Sequence, residues 1–236
     1  MRSLLSASWT SLSSLRVFTT PAQPDNTRSV IDTLAQAGKR CVDLFGATLI
    51  LILLAPVLLM IAVAVRWDSP GPILFRQKRI GRYGRPFYVS KFRSMISSAE
   101  SQLNLMEQMS ETPHGLLNVK DDPRITRVGK FLRRTSLDEL PQLFNVLSGE
   151  MSLVGPRPWQ VRDCERMSIL DPEAYQFRLS VRPGLTGLAQ VHGRKHCAPH
   201  RILELDQEYA SRWSFIRDFA ILYQTLGVIF SGDGAK

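Results

Sequence analysis

Residues 44–65, LFGATLILILLAPVLLMIAVAV, decide how the rest of the chain must be arranged. These 22 residues contain no charged side chain. As a straight helix they extend roughly 33 Å, enough to cross a hydrocarbon core roughly 30 Å thick. Pro56 stands in the middle, where its ring removes a backbone donor and disturbs the preceding turn. The segment therefore predicts a membrane element that is bent.

Both flanks of this segment are basic. Lys39 and Arg40 precede it, and six cationic residues follow it: Arg66, Arg76, Lys78, Arg79, Arg82 and Arg85. Positively charged flanks favour the cytoplasmic side of a membrane, so two such flanks predict a re-entrant helix broken at Pro56, with a single membrane-spanning helix as the alternative. Asp43 lies just before the apolar run, about one turn after Lys39 and Arg40, and we expect it to pair with them.

The composition excludes two classes of protein. The 236 residues include 30 Lys and Arg against 21 Asp and Glu, a net charge of +9, and 44% are hydrophobic. This apolar content excludes intrinsic disorder of the whole chain, and three cysteines are too few for a disulfide scaffold. Residues 1–38 are rich in Ser and Thr and predict a disordered tail, with an organelle transit peptide as the alternative. Residues 39–66 then form the membrane helix and residues 67–236 a cytosolic domain.

The cytosolic part predicts an α+β fold that is mainly helical with a small β-hairpin. Residues 73–77 and 87–94 read as the two strands of the hairpin, separated by Gly81, Gly84 and Pro86. Helical patterns cover residues 99–119, 137–147 up to Gly149, 174–179 and 203–212. A strongly amphipathic C-terminal helix is predicted over 215–230, with its apolar stripe packed in the core or lying on the membrane.

Residues 133–142, RRTSLDELPQ, hold the densest group of charged side chains. Ser136 followed by Glu139 matches a capping box, and Asp138 in the first turn complements the helix dipole, so one interpretation is purely structural. The other interpretation is a site for phosphate and a divalent cation. Adjacent carboxylates beside arginines at a helix N-terminus suit both ligands.

Basic residues also occur on stiff loops. Arg157 lies between two prolines in VGPRP, residues 154–158, and Arg182 begins the turn RPGLTG, residues 182–187. Residues 69–99 contain seven Lys or Arg and no acid, and a run of this kind can bind anionic lipids, phosphorylated ligands or nucleic acid. No nucleic-acid-binding motif accompanies the run, so we expect membrane lipids as a partner and no nucleic acid.

Several ordered motifs resemble those of the bacterial sugar transferases, the monotopic polyprenyl-phosphate phosphoglycosyl transferases. The motifs are KFRSM at 91–95, DPRIT at 122–126, LRRTSLDELPQL at 132–143 and MSLVGPRP at 151–158, extended by residues 182–187 with Gln190. The resemblance covers residues 39–236. It implies a re-entrant helix broken at Pro56, although Ala55 stands where this family often has serine, and a catalytic domain on the cytoplasmic face of the bacterial inner membrane.

The resemblance also implies a reaction, the transfer of a sugar 1-phosphate from a UDP-sugar to polyprenyl (undecaprenyl) phosphate with release of UMP. This reaction begins the assembly of a surface glycan or exopolysaccharide. Asp138 is the implied nucleophile, forming an aspartyl phosphosugar intermediate and binding Mg²⁺, and Glu139 the implied general base or second Mg²⁺ ligand. The implied phosphate-binding residues are Arg133, Arg157, Lys91, Arg93 and Arg182.

Two functions from other classes compete with this one. A non-catalytic, membrane-anchored assembly or regulatory protein could keep the same fold, and a membrane-tethered nucleic-acid binder would rest on the +9 charge alone. The sequence leaves the donor sugar open. It also leaves the oligomeric state open, since residues 215–230 offer apolar surface through which copies could pair.

Overall fold

The computed structural model describes residues 26–99, 122–192 and 197–231. The chain divides into two compact units, Met1–Gly38 and Lys39–Lys236. Residues 26–38, the described part of the predicted tail, are helical. The helix and loop predicted over 99–119 fall almost entirely outside the described residues.

Helix α1, Asn26–Asp68, contains the apolar segment, and its helical pattern continues past Pro56. By length and composition, its part Thr33–Asp68 could cross a membrane. One face is buried at intervals of a few residues, including Asp43, Ala47 and Ile61. The other face exposes large apolar side chains: Phe45, Leu49, Ile52, Leu53, Leu59, Met60 and Trp67. The helix therefore packs one face on protein, and its exposed apolar face is of a kind that suits lipid.

The predicted hairpin is confirmed. Strand β1, Leu74–Ile80, pairs antiparallel with strand β2, Pro86–Phe92. The connection is a 3-10 turn in which Tyr83 and Gly84 both adopt positive φ, at 59° and 72°. Directly opposed residues share a face of the hairpin, so Arg79, opposite Phe87, lies on the same side as Val89 and Lys91. Phe87 and Val89 are buried, which makes this the inner face.

The remaining elements confirm a mainly helical α+β fold. They are α2 Arg127–Thr135, a 3-10 helix Leu137–Gln142, α3 Leu143–Ser148, β3 Ser152–Val154, α4 Val161–Leu170, α5 Pro172–Ser180, β4 Gly184–Thr186, α6 Leu188–Val191, α7 Pro199–Ser211 and α8 Phe215–Ser231. Strands β3 and β4 form a second small sheet, parallel in register. The helices predicted over 174–179, 203–212 and 215–230 correspond to α5, α7 and α8. Helix α8 buries Ile221 and exposes Ile216, so it combines a core face with an exposed apolar face.

Helix α1 contributes to the apolar core on both sides of Pro56. Ala47 belongs to the cluster of the inner hairpin face, α3, β3 and Tyr209, and Ile61 and Val65 belong to a separate cluster with Phe92 and Leu132. A third cluster lies between α4, α5 and α7. The apolar helix is therefore part of the domain's hydrophobic core as well as its exposed apolar surface.

The expected pairing of Asp43 with Lys39 and Arg40 is wrong. Asp43 Oδ1 accepts hydrogen bonds from Ser152 Oγ and Leu153 N, both at 2.9 Å. The Arg40 guanidinium donates to the carbonyls of Val146 and Leu147, in the last turn of α3, at 2.6 and 2.8 Å. Lys39 Nζ donates to Asp218 Oδ2 on α8 at 2.5 Å. These side chains bond distant groups and not each other, because backbone groups and a carboxylate that are shielded from water need protein partners.

Candidate active site

Asp138 and Glu139 lie on the 3-10 helix that follows α2, and the path of the chain between the two helices sets their position. Ser136 adopts a left-handed conformation, with φ 57° and ψ 15°, which ends α2 and redirects the backbone. The helix predicted over 137–147 is therefore a 3-10 helix followed by α3, and it ends as predicted at Gly149, whose φ is 87°. Both acidic side chains are buried.

The predicted capping box is wrong. The Ser136 side chain makes no capping hydrogen bond, and the Glu139 amide donates instead to the Ser136 carbonyl at 3.2 Å. The Glu139 carboxylate points to two cations, whose charge-assisted hydrogen bonds are about twice as strong as a bond to a neutral amide. The acidic residue at this spacing therefore serves the site and not the helix terminus.

Glu139 is held by a lysine and an arginine from two other elements. Lys91 of β2 donates to Oε1 at 2.8 Å, and the Arg157 guanidinium bonds Oε1 at 2.7 Å and Oε2 at 3.2 Å. Only 11% of the Glu139 side chain is exposed, so these charges interact with little screening. Burial lowers the pKa of Lys91, an effect that Glu139 opposes. Lys91 and Arg157, called the clamp from here on, fix the position of the Glu139 carboxylate and neutralise its charge.

Asp138 is treated differently by its surroundings. Burial raises the pKa of its carboxyl group and Glu139 adds to the effect, whereas the charges of Lys91, Arg133 and Arg157 oppose it. Among the described residues, none donates a hydrogen bond to this carboxylate. Asp138 therefore presents a poorly solvated carboxylate beside a neutralised one, which is typical of a reactive group.

The loop of residues 154–158, called the arginine loop below, carries Arg157 and is held at nearly every carbonyl. Val154 O accepts from Lys39 Nζ at 3.1 Å and lies 2.9 Å from the Tyr209 hydroxyl. Pro158 O accepts from Arg79 Nη1 at 3.1 Å. Gly184 N and Arg178 donate to the carbonyls of Pro156 and Arg157 respectively. A Cβ at Gly155 would lie 2.4 Å from the Arg182 carbonyl, so only glycine allows this close approach.

Arg79 belongs to the site region, although its place in the sequence indicated only the basic flank of the apolar segment. Burial lowers its pKa to about 10, and the neighbouring charge of Arg157 acts in the same direction while Asp163 and Glu139 oppose it. The register of the hairpin could have identified Arg79 as a site residue. Arg79 lies directly opposite the buried Phe87, so its side chain is on the inner face.

The structure brings together five of the seven predicted site residues: Asp138, Glu139, Lys91, Arg133 and Arg157. It places Arg93 and Arg182 elsewhere. The Arg93 guanidinium donates to the backbone carbonyls of Val65 and Ser69 at the end of α1, at 3.3 and 2.5 Å. Arg182 Nε donates to Gly149 O at 3.1 Å.

The donor set fits Mg²⁺ bound through a single protein carboxylate. Both Glu139 oxygens are bonded to cations, which leaves Asp138 as the carboxylate with oxygens to offer. In the part of the chain that the structure describes, no group of three or more His, Cys, Asp or Glu is placed to hold a metal. Mg²⁺ commonly binds one or two carboxylates together with substrate phosphates, so a site of this kind is completed by the substrate.

A cluster of cationic side chains around two buried carboxylates suits phosphate esters, and the long apolar helix of the same chain is compatible with association with a membrane. The chain belongs to the bacterial sugar transferase family, whose model matches residues 34–232. This confirms the resemblance that the sequence motifs indicated.

Several curated proteins share the matched region. Over 193 residues the chain is 46% identical to the UDP-glucose:undecaprenyl-phosphate glucose-1-phosphate transferase of Escherichia coli (strain K12), covering 80% of this chain and 39% of that protein. It is 41% identical over 202 residues to the transferase of the same name from Caulobacter vibrioides, covering 84% and 71%. It is 40% identical over 203 residues to the undecaprenyl-phosphate galactose phosphotransferase of Salmonella typhimurium, covering 84% and 41%. The chain spans about two fifths of the length of most of these relatives.

Proposed function

We propose that this protein transfers a sugar 1-phosphate from a UDP-sugar to undecaprenyl phosphate, releasing UMP, as the first step in assembly of a surface polysaccharide. The observation that carries the proposal is the pair Asp138 and Glu139, one carboxylate without a hydrogen-bonded partner among the described residues and the other clamped by Lys91 and Arg157. The names of the relatives supply the donor and acceptor classes.

The first step forms a covalent intermediate on Asp138. A carboxylate oxygen attacks the β-phosphorus of the donor, the bond from that phosphorus to the bridging oxygen breaks, and UMP leaves with the electron pair. Burial supports this role, because a poorly solvated carboxylate is a better nucleophile than a hydrated one. Asp138 together with the donor phosphates would hold Mg²⁺, which supplies charge neutralisation at the diphosphate.

The second step releases the sugar phosphate to the lipid. An oxygen of undecaprenyl phosphate attacks the phosphorus bound to Asp138, and the Asp138 carboxylate leaves with the electron pair of the broken bond. Glu139 lies in the adjacent position, where it can accept a proton from an incoming monoprotonated phosphate once that phosphate takes over a hydrogen bond of Lys91 or Arg157. Arg133 and Arg79 add positive charge near the two carboxylates, which offsets the repulsion between two phosphates.

We also propose that α1 is re-entrant and that the domain lies on the cytoplasmic face of the inner membrane. Asp43 bonds Ser152 and Leu153, and the Val65 carbonyl accepts from Arg93 of the same unit. Asp43 and Val65 are 22 residues apart, roughly 33 Å along a straight helix, which exceeds the roughly 30 Å thickness of the hydrocarbon core. A spanning helix would carry them to opposite sides of the membrane, whereas a bend at Pro56 returns both to one side.

The topology is tested by cysteine labelling in intact cells and spheroplasts. Leu34→Cys and Pro70→Cys, each in a background without the three native cysteines, place one thiol on either side of the apolar segment at exposed positions. We expect a membrane-impermeant maleimide to label neither until the membrane is opened. Labelling of one position from the periplasm would establish a spanning helix instead.

The activity is tested by UMP release from purified, detergent-solubilised protein. The reaction contains undecaprenyl phosphate, Mg²⁺ and either UDP-glucose or UDP-galactose, with the Escherichia coli relative as positive control for acceptor and assay. We expect release from at least one donor and none with Asp138→Asn. Folded protein that releases no UMP from a panel of UDP-sugars, while the control enzyme works, would favour the non-catalytic alternative.

A further inference from the structure

We propose that Arg178 and Asp206 are positioning residues for Arg157, setting through the backbone of the arginine loop the geometry with which Arg157 grips Glu139. The proposal rests on the proposed function, in which Glu139 assists the transfer. Neither residue belongs to the motifs that indicated the site, and neither touches the two carboxylates.

The observation is a buried guanidinium that joins three partners. One terminal nitrogen of Arg178 forms an ion pair with Asp206 Oδ2, and the other donates to the Arg157 carbonyl. Its central carbon lies 3.4 Å from the centroid of the Trp159 ring, two residues beyond Arg157. Arg178 is 5% exposed and Asp206 1% exposed, so solvent competes for none of these contacts.

Stability alone gives little reason to bury this pair. Removing two charges from water is expensive, and well-packed apolar residues often stabilise a fold as much as a buried ion pair does. The expense is visible in Asp206, where burial raises the pKa to about 6 even though Arg178 opposes the shift. What apolar residues cannot supply is a charged N–H donor placed on one chosen carbonyl, in this case that of Arg157.

The loop is built to pass this constraint to the Arg157 side chain. Prolines at 156 and 158 fix φ on either side of Arg157, so few backbone torsions remain free to absorb a displacement. The guanidinium of Arg157 then bonds both oxygens of Glu139, an arrangement that depends on distance and angle at two points. A shift of the Arg157 carbonyl therefore moves the fork away from Glu139.

The primary test is Arg178→Lys in the full chain, assayed with undecaprenyl phosphate, Mg²⁺ and the UDP-sugar from which the wild type releases UMP. A lysine keeps the charge beside Asp206 but its single ammonium cannot reproduce the planar fork that reaches both Asp206 and the Arg157 carbonyl. We expect kcat to fall about tenfold or more, with the KM for the donor within about twofold, because small misplacement near a reacting group acts on the transition state. Asp206→Asn, the second variant, is expected to change kcat in the same direction.

The matched control is Glu204→Gln on the same helix as Asp206. Glu204 forms an exposed ion pair with Arg201, in which the two side chains are 51% and 53% exposed, and we expect its loss to leave kcat and KM unchanged. Arg157→Lys then separates positioning from general damage to the fold. If Arg178 acts through Arg157, adding Arg178→Lys to Arg157→Lys should lower kcat little further. If Arg178→Lys damages the fold independently, its full loss of kcat should appear in the double variant as well.

A second readout does not depend on turnover. Gly155 N donates to Thr186 O and Gly184 N to Pro156 O, both at 2.8 Å, so hydrogen exchange at these amides reports on the loop. We expect faster exchange at Gly155 in Arg178→Lys and no change in Glu204→Gln. If Arg178→Lys speeds exchange at Gly155 but the wild type releases no UMP, the proposed function is rejected, and the proposal that Arg178 positions the arginine loop stands. Unchanged exchange together with unchanged kcat would overturn the positioning proposal.

Discussion

Two buried networks of charge in this molecule resemble each other but differ at one carboxylate. The anchor network joins α1 to α8 through Asp218, which accepts from Tyr209 at Oδ1, 2.8 Å, and from Lys39 and Trp213 at Oδ2, 2.5 and 3.1 Å. The site network joins β2 to the arginine loop through Glu139, both of whose carboxylate oxygens likewise accept hydrogen bonds from other side chains. Next to Glu139, however, stands Asp138, which no described residue satisfies.

The difference indicates which network holds the fold together and which performs chemistry. A buried polar network that is fully paired makes a structure rigid and unique, whereas an unpaired buried group needs another explanation, such as a substrate or ion. Substitutions in the anchor network should therefore act on stability, and substitutions at Asp138 on turnover.

The largest expected effect is that of Asp138→Asn on turnover. The amide keeps the size of the side chain but is not a nucleophile, so we expect kcat to fall by about 10³-fold or more. Glu139→Gln, which leaves the nucleophile in place and weakens the clamp, should lose about 10²-fold. Initial rates of UMP release measure both, and equal activity of Asp138→Asn and wild type would remove the basis of the comparison.

The next effect concerns the anchor network. Asp218→Asn leaves Lys39 beside a neutral partner in a poorly solvated site, and we expect the free energy of unfolding to fall by about 2 kcal/mol, below the usual range for fully buried pairs because the Lys39 side chain is 18% exposed. Thermal unfolding in detergent followed by circular dichroism measures the loss. A melting temperature equal to that of wild type would show that this network is not a stabilising anchor.

A smaller effect is expected in the pH dependence of stability. The pKa of Asp138 is raised in the folded protein, so the folded state binds the proton more tightly and its stability falls as the pH rises from the unfolded pKa, about 4, through the folded pKa. Asp138→Asn removes this dependence. We expect its melting temperature to exceed that of wild type by about 2 °C at pH 7 and to match it near pH 3.5. If Asp138→Asn is less stable than wild type at pH 7, this would contradict the expectation that the charged, buried Asp138 carboxylate destabilises the folded protein.

The smallest effect is expected at Ser136. Its side chain makes no cap, and alanine has the same Cβ in the left-handed conformation, so Ser136→Ala should change the free energy of unfolding by less than about 0.3 kcal/mol. A capping serine would lose about 1 kcal/mol on the same substitution. Thermal unfolding of the two proteins under the same conditions distinguishes these values. The larger loss would show that the Ser136 side chain caps the helix.

Periodic patterns predicted much of the fold. The alternating residues on either side of Gly81 and Gly84 formed the hairpin, and the apolar spacing over 215–230 became α8, Phe215–Ser231. The left-handed Ser136 and the 3-10 helix after it were not predictable, because a capping box and a reactive acid pair have the same local sequence. Only the positions of Lys91 and Arg157, far away in the chain, decide between them.

Charged residues were harder to assign than apolar ones for the same reason. Asp43, Arg93 and Arg79 all find partners distant in sequence, two of them on backbone carbonyls whose availability depends on the tertiary fold. Asp138, Glu139 and Arg157, which the motifs grouped together, lie close together in the structure. They carried no information on Arg178 and Asp206, whose relation to the pocket exists only through the path of the arginine loop.

The most direct test of the central claim, that the buried Asp138 carboxylate is the nucleophile, is the mass of the protein and of its peptides after incubation with Mg²⁺ and the UDP-sugar that supports UMP release, without undecaprenyl phosphate. We expect the wild type to gain the mass of one sugar phosphate on the peptide that contains Asp138 and to lose it when undecaprenyl phosphate is added. We expect Asp138→Asn to gain nothing. Turnover by a wild type that never carries the adduct, or an adduct on Asp138→Asn, would contradict the claim.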